Sequence, residues 1–278
     1  RVMVVMPAML TSTAGTVRLA HRLHLHALAN PEAHTQFALL TDWADAPGAE
    51  AAADDTLLAH AAQQIRQLNA SAPAVAGTAA ASGAAAAAPR FLLLHRKRQY
   101  CATEGCWIGW ERKRGKLEQL IATLAGVPGQ AFIDLGAISQ VAPGTAYVLT
   151  LDSDTQLPPG RLRELVGVAA HPDNAPQLSA DGRRVQRGYG ILQPHLVTPL
   201  PAPQELTPYH WLFAGQRAST PTARPAPRST RTSSAKARSP ARVCCTCRPC
   251  TPCWAAGCPT AACSATTCWK ARWRAARR

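Results

Sequence analysis

Residues 147–159 read YVLTLDSDTQLPP. Tyr147 to Leu151 is a short β-branched and apolar run, the pattern of a buried strand. It stops at two carboxylates, Asp152 and Asp154, one residue apart. Unpaired charge in a protein interior is costly. A buried strand that ends in paired acids therefore has to deliver them to solvent, to a cation or to basic partners. The fold depends on whether similar strands accompany this one.

They do. Val2 to Met6 is an apolar run closed by Pro7, and residues 13–29 follow it with a helical mixture of Leu, Val and polar groups that Asn30-Pro31 stops. Gln36 to Thr41 makes a second strand ending at Asp42. Asp54-Asp55 opens a helix with Leu57, Leu58, Ala61, Ile65 and Leu68 at helical spacing. Phe91 to His95 reads as a third strand. A helix follows from about Glu111, with Leu117, Leu120, Ile121 and Leu124 at i, i+3, i+4 and i+7. After Tyr147 to Leu151, Pro158-Pro159 starts a helix through about Ala170, and Tyr189 to Gln193 is a fifth strand. Strands alternating with helices predict an α/β domain with a mostly parallel sheet. Such sheets bind ligands beyond the carboxyl ends of their strands, which is where Asp42, Asp152 and Asp154 stand. Residues 70–89, rich in Ala, Gly, Ser and Pro, read as a low-complexity surface loop.

Composition divides the chain in two. Its net charge of +14 points by itself to nucleic acid or an acidic membrane surface. Yet all 16 Asp and Glu lie at or before Glu205, while 13 Lys or Arg follow from Arg217 onward. Removing those 13 from the 30 basic residues leaves 17 against 16 acids, a balance of +1 for the body. Eight of the 10 cysteines also lie in the tail, and only Cys101 and Cys106 lie in the body. The body therefore has no disulfide framework. No apolar run is long enough to span a bilayer. The chain begins in mid-pattern at Arg1, the expectation for a piece of a longer protein.

Two carboxylates of a D-x-D can share one divalent cation, magnesium or manganese, with the phosphates of a nucleotide. The plainer alternative is a strand end followed by a helix-capping turn. Glu111-Arg112-Lys113-Arg114-Gly115-Lys116 places four cations at a helix start, where anions are already favoured. Its alternative is a solvated basic turn. Trp107 and Trp110 just before it could form a sugar or base platform. Asp42 could accept hydrogen bonds from uracil or ribose, or be a loop acid. His21, His24 and His26 fit no metal spacing and read as surface.

Four segments, FALLTDWADA (37–46), WIGWERKRGKLEQL (107–120), YVLTLDSDTQLP (147–158) and GYGILQPHL (188–196), together resemble the glycosyltransferase domain of cyclic β-1,2-glucan synthases. These are very large bacterial inner-membrane proteins, and their transferase core is similar to the GT-A type of processive inverting glycosyltransferases. The resemblance covers most of residues 1–213 and implies a partial nucleotide-sugar-binding domain of that type. It implies glucose transfer from UDP-glucose onto a β-glucan acceptor, with a divalent metal, at the cytoplasmic face of the inner membrane. Carried over residue by residue, Asp42 would contact the uridine, and Lys116, with Arg112 and Arg114, the diphosphate. Asp152 and Asp154 would contact the metal and donor. Gln193, Trp107 and Trp110 would face the acceptor. Inverting transfer also needs a general base, usually an acid, and none follows Glu205. This chain is therefore expected to lack transfer activity.

Residues 217–278 contain no Leu, Ile, Phe, Met or Tyr and one Val, so they are expected to stay disordered. Cys247-x-x-Cys250 and Cys250-x-x-Cys253 have zinc-like spacing, so a basic zinc or nucleic-acid module is the alternative reading of the chain. The resemblance predicts no specific nucleic acid. A frameshift explains more. Back-translated with GC-rich codons and read one nucleotide earlier, STRTSSAKARSPARVCCTC (229–247) can give VYQDLFGEGSFTGKGLLYV, and SATTCWKARWRA (264–275) can give LSHDLLEGALAR. Both resemble the continuation of the same family, and the HD pair would supply the missing acid. The coding DNA is therefore expected to restore both segments with one single-nucleotide shift between about Phe213 and Ser229; a gene in which no such shift restores them ends the idea.

Overall fold

The computed structural model describes residues 1–72, 75, 88–127, 131–179, 185–194 and 242–245, the last as backbone alone. The first half runs β1 (Val2–Leu10), α1 (Thr13–Ala29), β2 (Thr35–Trp43), α2 (Asp54–Ser71), β3 (Phe91–Arg96), then a hairpin of β4 (Gln99–Cys101) and β5 (Cys106–Ile108). The second half runs α3 (Arg112–Leu124), β6 (Tyr147–Thr150), α4 (Arg161–Ala170), β7 (Gln177–Leu178), β8 (Val185–Arg187), β9 (Ile191–Leu192) and β10 (Arg242–Cys245). The main sheet has the order β3-β2-β1-β6-β10-β9, and its first four strands are parallel. The α/β class with a parallel sheet is thus as the sequence predicts.

Alternate side chains of each strand enter two separate cores. Val4, Met6, Phe37, Leu39, Phe91, Leu93 and Leu149 meet Leu23 and Ala27 of α1, Ala61 and Ile65 of α2, and Leu162 of α4. Met3, Val5, Ala38, Leu40, Leu92, Leu94 and Val148 meet Leu120 and Ile121 of α3. Burial on both faces is why these strands read as unbroken apolar runs. Ser12 starts α1 by accepting from the Gly15 N–H at 3.0 Å. That bond satisfies a donor the first helical turn would otherwise leave open.

Several details depart from the sequence reading. Pro7 does not close β1, which continues to Leu10. The Val5 carbonyl accepts from Leu151 N–H at 2.9 Å. Residues two apart in a strand direct backbone groups to the same side, so the missing N–H of Pro7 faces the β6 side, past the last pairing of Val5 with Thr150. His26, expected on the surface, is buried, because helical spacing puts it on the same face as Leu23 and Ala27. His24 is half-buried, edge-on to Phe91. The fifth strand shrinks to Ile191–Leu192. Of residues 217–278, expected to be without order, only 242–245 lie among the described residues, and they form β10, antiparallel to both β6 and β9. An open strand edge is a template for such pairing, and β6 offers one. Most of the 70–89 loop and the cysteines from Cys247 onward lie outside the described residues.

Gly115, in the first turn of α3, packs against the preceding loop. A Cβ there would stand 2.1 Å from the Trp110 carbonyl oxygen and 2.7 Å from the Trp110 ring. Gly to Ala in a helix interior ordinarily stabilises by about 1 kcal/mol. Here Gly115→Ala is expected to lower the melting temperature instead, measured by circular dichroism; an unchanged or raised value would show that the close approach is not real.

Candidate functional site

The sheet order fixes where a ligand can enter. From β1 the chain winds outward through β2 to β3, then returns to place β6 on the other side of β1. The β1/β6 boundary is the switch point at which open α/β sheets form a crevice at the strand ends. A cleft of about 220 Å³ opens beside it, over the carboxyl ends of β1 and β2, lined by Pro7, Ala8 and Met9 of β1, Asp42 and Trp43 of β2, and Asp45, Gly109, Arg112, Lys113 and Lys116.

Its floor is a buried ion cluster. Asp42 is 3% exposed. Arg96 donates to both of its carboxylate oxygens, Nε at 2.7 Å and Nη2 at 2.9 Å, and Lys116 Nζ sits 2.8 Å from Oδ2. Lys116 also donates to the Ala8 carbonyl at 2.8 Å. Burial pushes the Lys116 pKa down, and the Asp42 charge opposes that shift. Gly109 lets the chain cross Asp42, since a Cβ there would lie 2.7 Å from the carboxylate. Beside this cluster, Arg98 makes a two-pronged ion pair with Asp54 and lies over the Trp43 ring at 5.7 Å. None of Arg96, Arg98 or Asp54 stood out as a site residue in the sequence.

The entry to α3 is strained. Glu111 and Arg112 have φ of 49° and 47°, a left-handed conformation unusual for residues with side chains. Arg96 holds this turn by donating Nη1 to the Trp110 carbonyl at 3.1 Å and Nη2 to the Arg112 carbonyl at 3.2 Å. The turn brings Arg112 and Lys113 to the cleft. Arg112 pairs with Asp45 at 2.8 Å and Glu104 at 3.0 Å. Lys113 pairs with Asp152.

The sequence candidates therefore separate. Asp42, Arg112 and Lys116 meet in the cleft, with Lys116 buried on Asp42 and not open to a diphosphate. Arg114 is turned to Glu111 and Glu118 and does not line the cleft. Asp152 reaches the same residues through Lys113, a cation the sequence reading passed over within a run of four. Asp154 is exposed in the turn after β6. Trp107 is half-buried and contacts Tyr100 at 5.8 Å between ring centres. Trp110 is 39% exposed, and Gln193 is exposed just past β9. Neither Trp nor Gln193 lines the cleft.

His95, between the two ion clusters, is fully buried. Its Nδ1 is 2.8 Å from Thr41 Oγ1, its ring meets Trp43 edge-on at 4.2 Å, and its Nε2 has no partner among the described residues. Burial lowers its pKa from 6.5 to about 4, with Asp42 and Asp54 pulling upward and Lys116 and Arg98 downward. The unfolded chain takes up this proton more readily. The stability due to neutral His95 is therefore complete above pH 6.5 and is lost as the pH falls through 4. Up to about 3 kcal/mol is at stake, at 1.36 kcal/mol per pKa unit. Urea unfolding across that window is expected to show the loss, and His95→Gln to flatten it; equal slopes in the two proteins would assign the loss elsewhere.

No protein-family model matches the chain. Over 221 residues, 80% of its length, it is 38% identical to the cyclic beta-(1,2)-glucan synthase NdvB of Rhizobium meliloti (strain 1021). It spans 7% of the length of that protein. Identity of that extent, in an α/β domain whose cleft collects residues from two of the four resembling segments, makes the chain a relative of one segment of a cyclic β-(1,2)-glucan synthase.

Proposed function

We propose that the chain is the donor-binding part of a glucosyltransferase that builds cyclic β-1,2-glucan from UDP-glucose. One observation carries the reading. Cations of ERKRGK line a cleft at the strand ends, and one of them, Lys113, pairs with the first acid of the D-x-D, in a chain 38% identical to part of a glucan synthase. Arg112 and Lys113 hold the diphosphate, because they are the cations that line the cleft and keep exposed side chains. Asp42, expected at the uridine, is sealed with both carboxylate oxygens engaged by Arg96 and Lys116, so it shapes the floor beneath the nucleoside instead of accepting hydrogen bonds from it. Arg96 and Lys116 keep its carboxylate in place.

Asp152 and Asp154 suit magnesium or manganese. They are oxygen donors at a strand end, one half-buried and one exposed. Two carboxylates completed by phosphate form a common donor set for such ions. Among the described residues no group of three or more His, Cys, Asp or Glu could enclose a metal alone, which leaves phosphate to complete the set. When bound, the ion offsets charge on the departing diphosphate. Gln193, Trp107 and Trp110 are assigned to the side of the β-glucan acceptor. Deprotonating the acceptor hydroxyl needs a base, and no acid follows Glu205. The proposal is therefore donor binding without transfer. The setting proposed for the parent protein is the cytoplasmic face of an inner membrane; among the described residues no helix is long and apolar enough to cross one.

Calorimetry with UDP and Mn²⁺ tests this reading. Asp154→Ala is expected to remove the manganese-dependent part of UDP affinity, and Arg112→Ala to weaken binding about tenfold, the scale of a charge-assisted hydrogen bond. Equal affinities for wild type and Asp154→Ala would sink the D-x-D assignment.

A further inference from the structure

Each cation lining the cleft is already matched by a carboxylate. Lys116 sits on Asp42, Arg112 on Asp45 and Glu104, and Lys113 on Asp152. The first pair is sealed, with both side chains 4% exposed. The Lys113 pair is different. The Lys113 side chain is 41% exposed and that of Asp152 is 15% exposed. A long, flexible ammonium in contact with water can leave its partner at small cost. Asp152 cannot lose a partner so easily, because a half-buried carboxylate needs a counter-charge.

We propose that Lys113 is a built-in counter-ion for Asp152 that exchanges with a divalent cation. Lys113 neutralises Asp152 until a cation takes that oxygen. The released ammonium then turns into the cleft, which it already lines, and meets a phosphate of the nucleoside diphosphate. The exchange couples the two ligands. Metal alone has to displace Lys113 with nothing to receive it, whereas metal arriving with a diphosphate gives Lys113 a new anion. No bond to carbon or phosphorus changes in this step; two ion pairs replace one. The inference rests on the donor-site reading above and adds an order of preference to it.

The test uses the full chain and reads free Mn²⁺ by electron paramagnetic resonance, with and without UDP. Lys113→Met is expected to bind Mn²⁺ about two- to fivefold more tightly than wild type without UDP, the scale of removing a partly exposed ion pair. In the same variant, UDP affinity at saturating Mn²⁺ is expected to fall by a similar factor. Lys113→Gln should act likewise and Lys113→Arg should resemble wild type, which separates lost charge from lost packing. Equal Mn²⁺ affinities in wild type and Lys113→Met, with Asp152→Asn abolishing binding in both, overturn the exchange and leave the donor site standing. Unchanged UDP affinity in Lys113→Met also overturns it. No Mn²⁺-dependent UDP binding in either protein overturns the donor-site reading and the exchange together.

Discussion

The pairing of Arg96 with Asp42 is the contact on which the rest of the site depends. Arg96 ends β3 and Asp42 stands near the end of β2, opposite it in the strand register. Two short hydrogen bonds in a buried setting fix the guanidinium plane. The remaining nitrogen valences of Arg96 reach the carbonyls of Trp110 and Arg112 and the Gln119 side chain. One side chain thus ties two strand ends to the entrance of α3. A buried pair of this kind adds little net stability against a well-packed apolar substitute, but losing one member leaves an uncompensated charge. Its value here is positional.

That position accounts for the strain. Glu111 and Arg112 would not hold left-handed backbone conformations unaided, at roughly 1–3 kcal/mol each. The Arg96 bonds to the carbonyls on either side of Glu111, together with the close approach of Gly115 to Trp110, leave the turn no relaxed alternative. The consequence is directional. A relaxed turn would start α3 at another angle and carry Arg112 and Lys113 away from the ends of β1 and β6. The sheet order sets where the crevice lies, and the strained turn decides which charges face it.

The sequence disclosed the layers well because both faces of the sheet are covered, so Val2–Met6, Phe37–Leu40 and Phe91–Leu94 are apolar throughout. Asp42 and Asp152 were legible for the opposite reason, as acids that interrupt such runs. What the sequence hid depends on distance in the chain. Arg96 is a basic residue after a strand, ordinary until β2 and β3 pair in register and bring it to Asp42, 54 residues away. Lys113 was one of four cations, and only the turn geometry separates it from Arg114. His26 looked like its neighbours His21 and His24, yet the helical period turns it inward. Strand β10 could not be foreseen, since a tail without Leu or Ile gives no sign of pairing, and the edge of β6 supplies what the tail lacks.

Lys113 and Lys116 lie one turn apart on the same side of α3, and their fates show how this cleft sorts its charges. Lys116 is nearer the sheet. Its ammonium is enclosed by Asp42 and the Ala8 carbonyl, and its lowered pKa records the desolvation this entails. Moving it would leave the Asp42 cluster with one charge too few in a place water does not reach. Lys113 is nearer the helix start, and its side chain keeps two-fifths of its exposure. It can change partners without stranding a buried ion. An ERKRGK motif read as a uniform basic patch would give these residues equal claims on an anion. Depth below the surface ranks them instead: the buried lysine shapes the wall, and the exposed lysine and Arg112 remain able to respond to what enters.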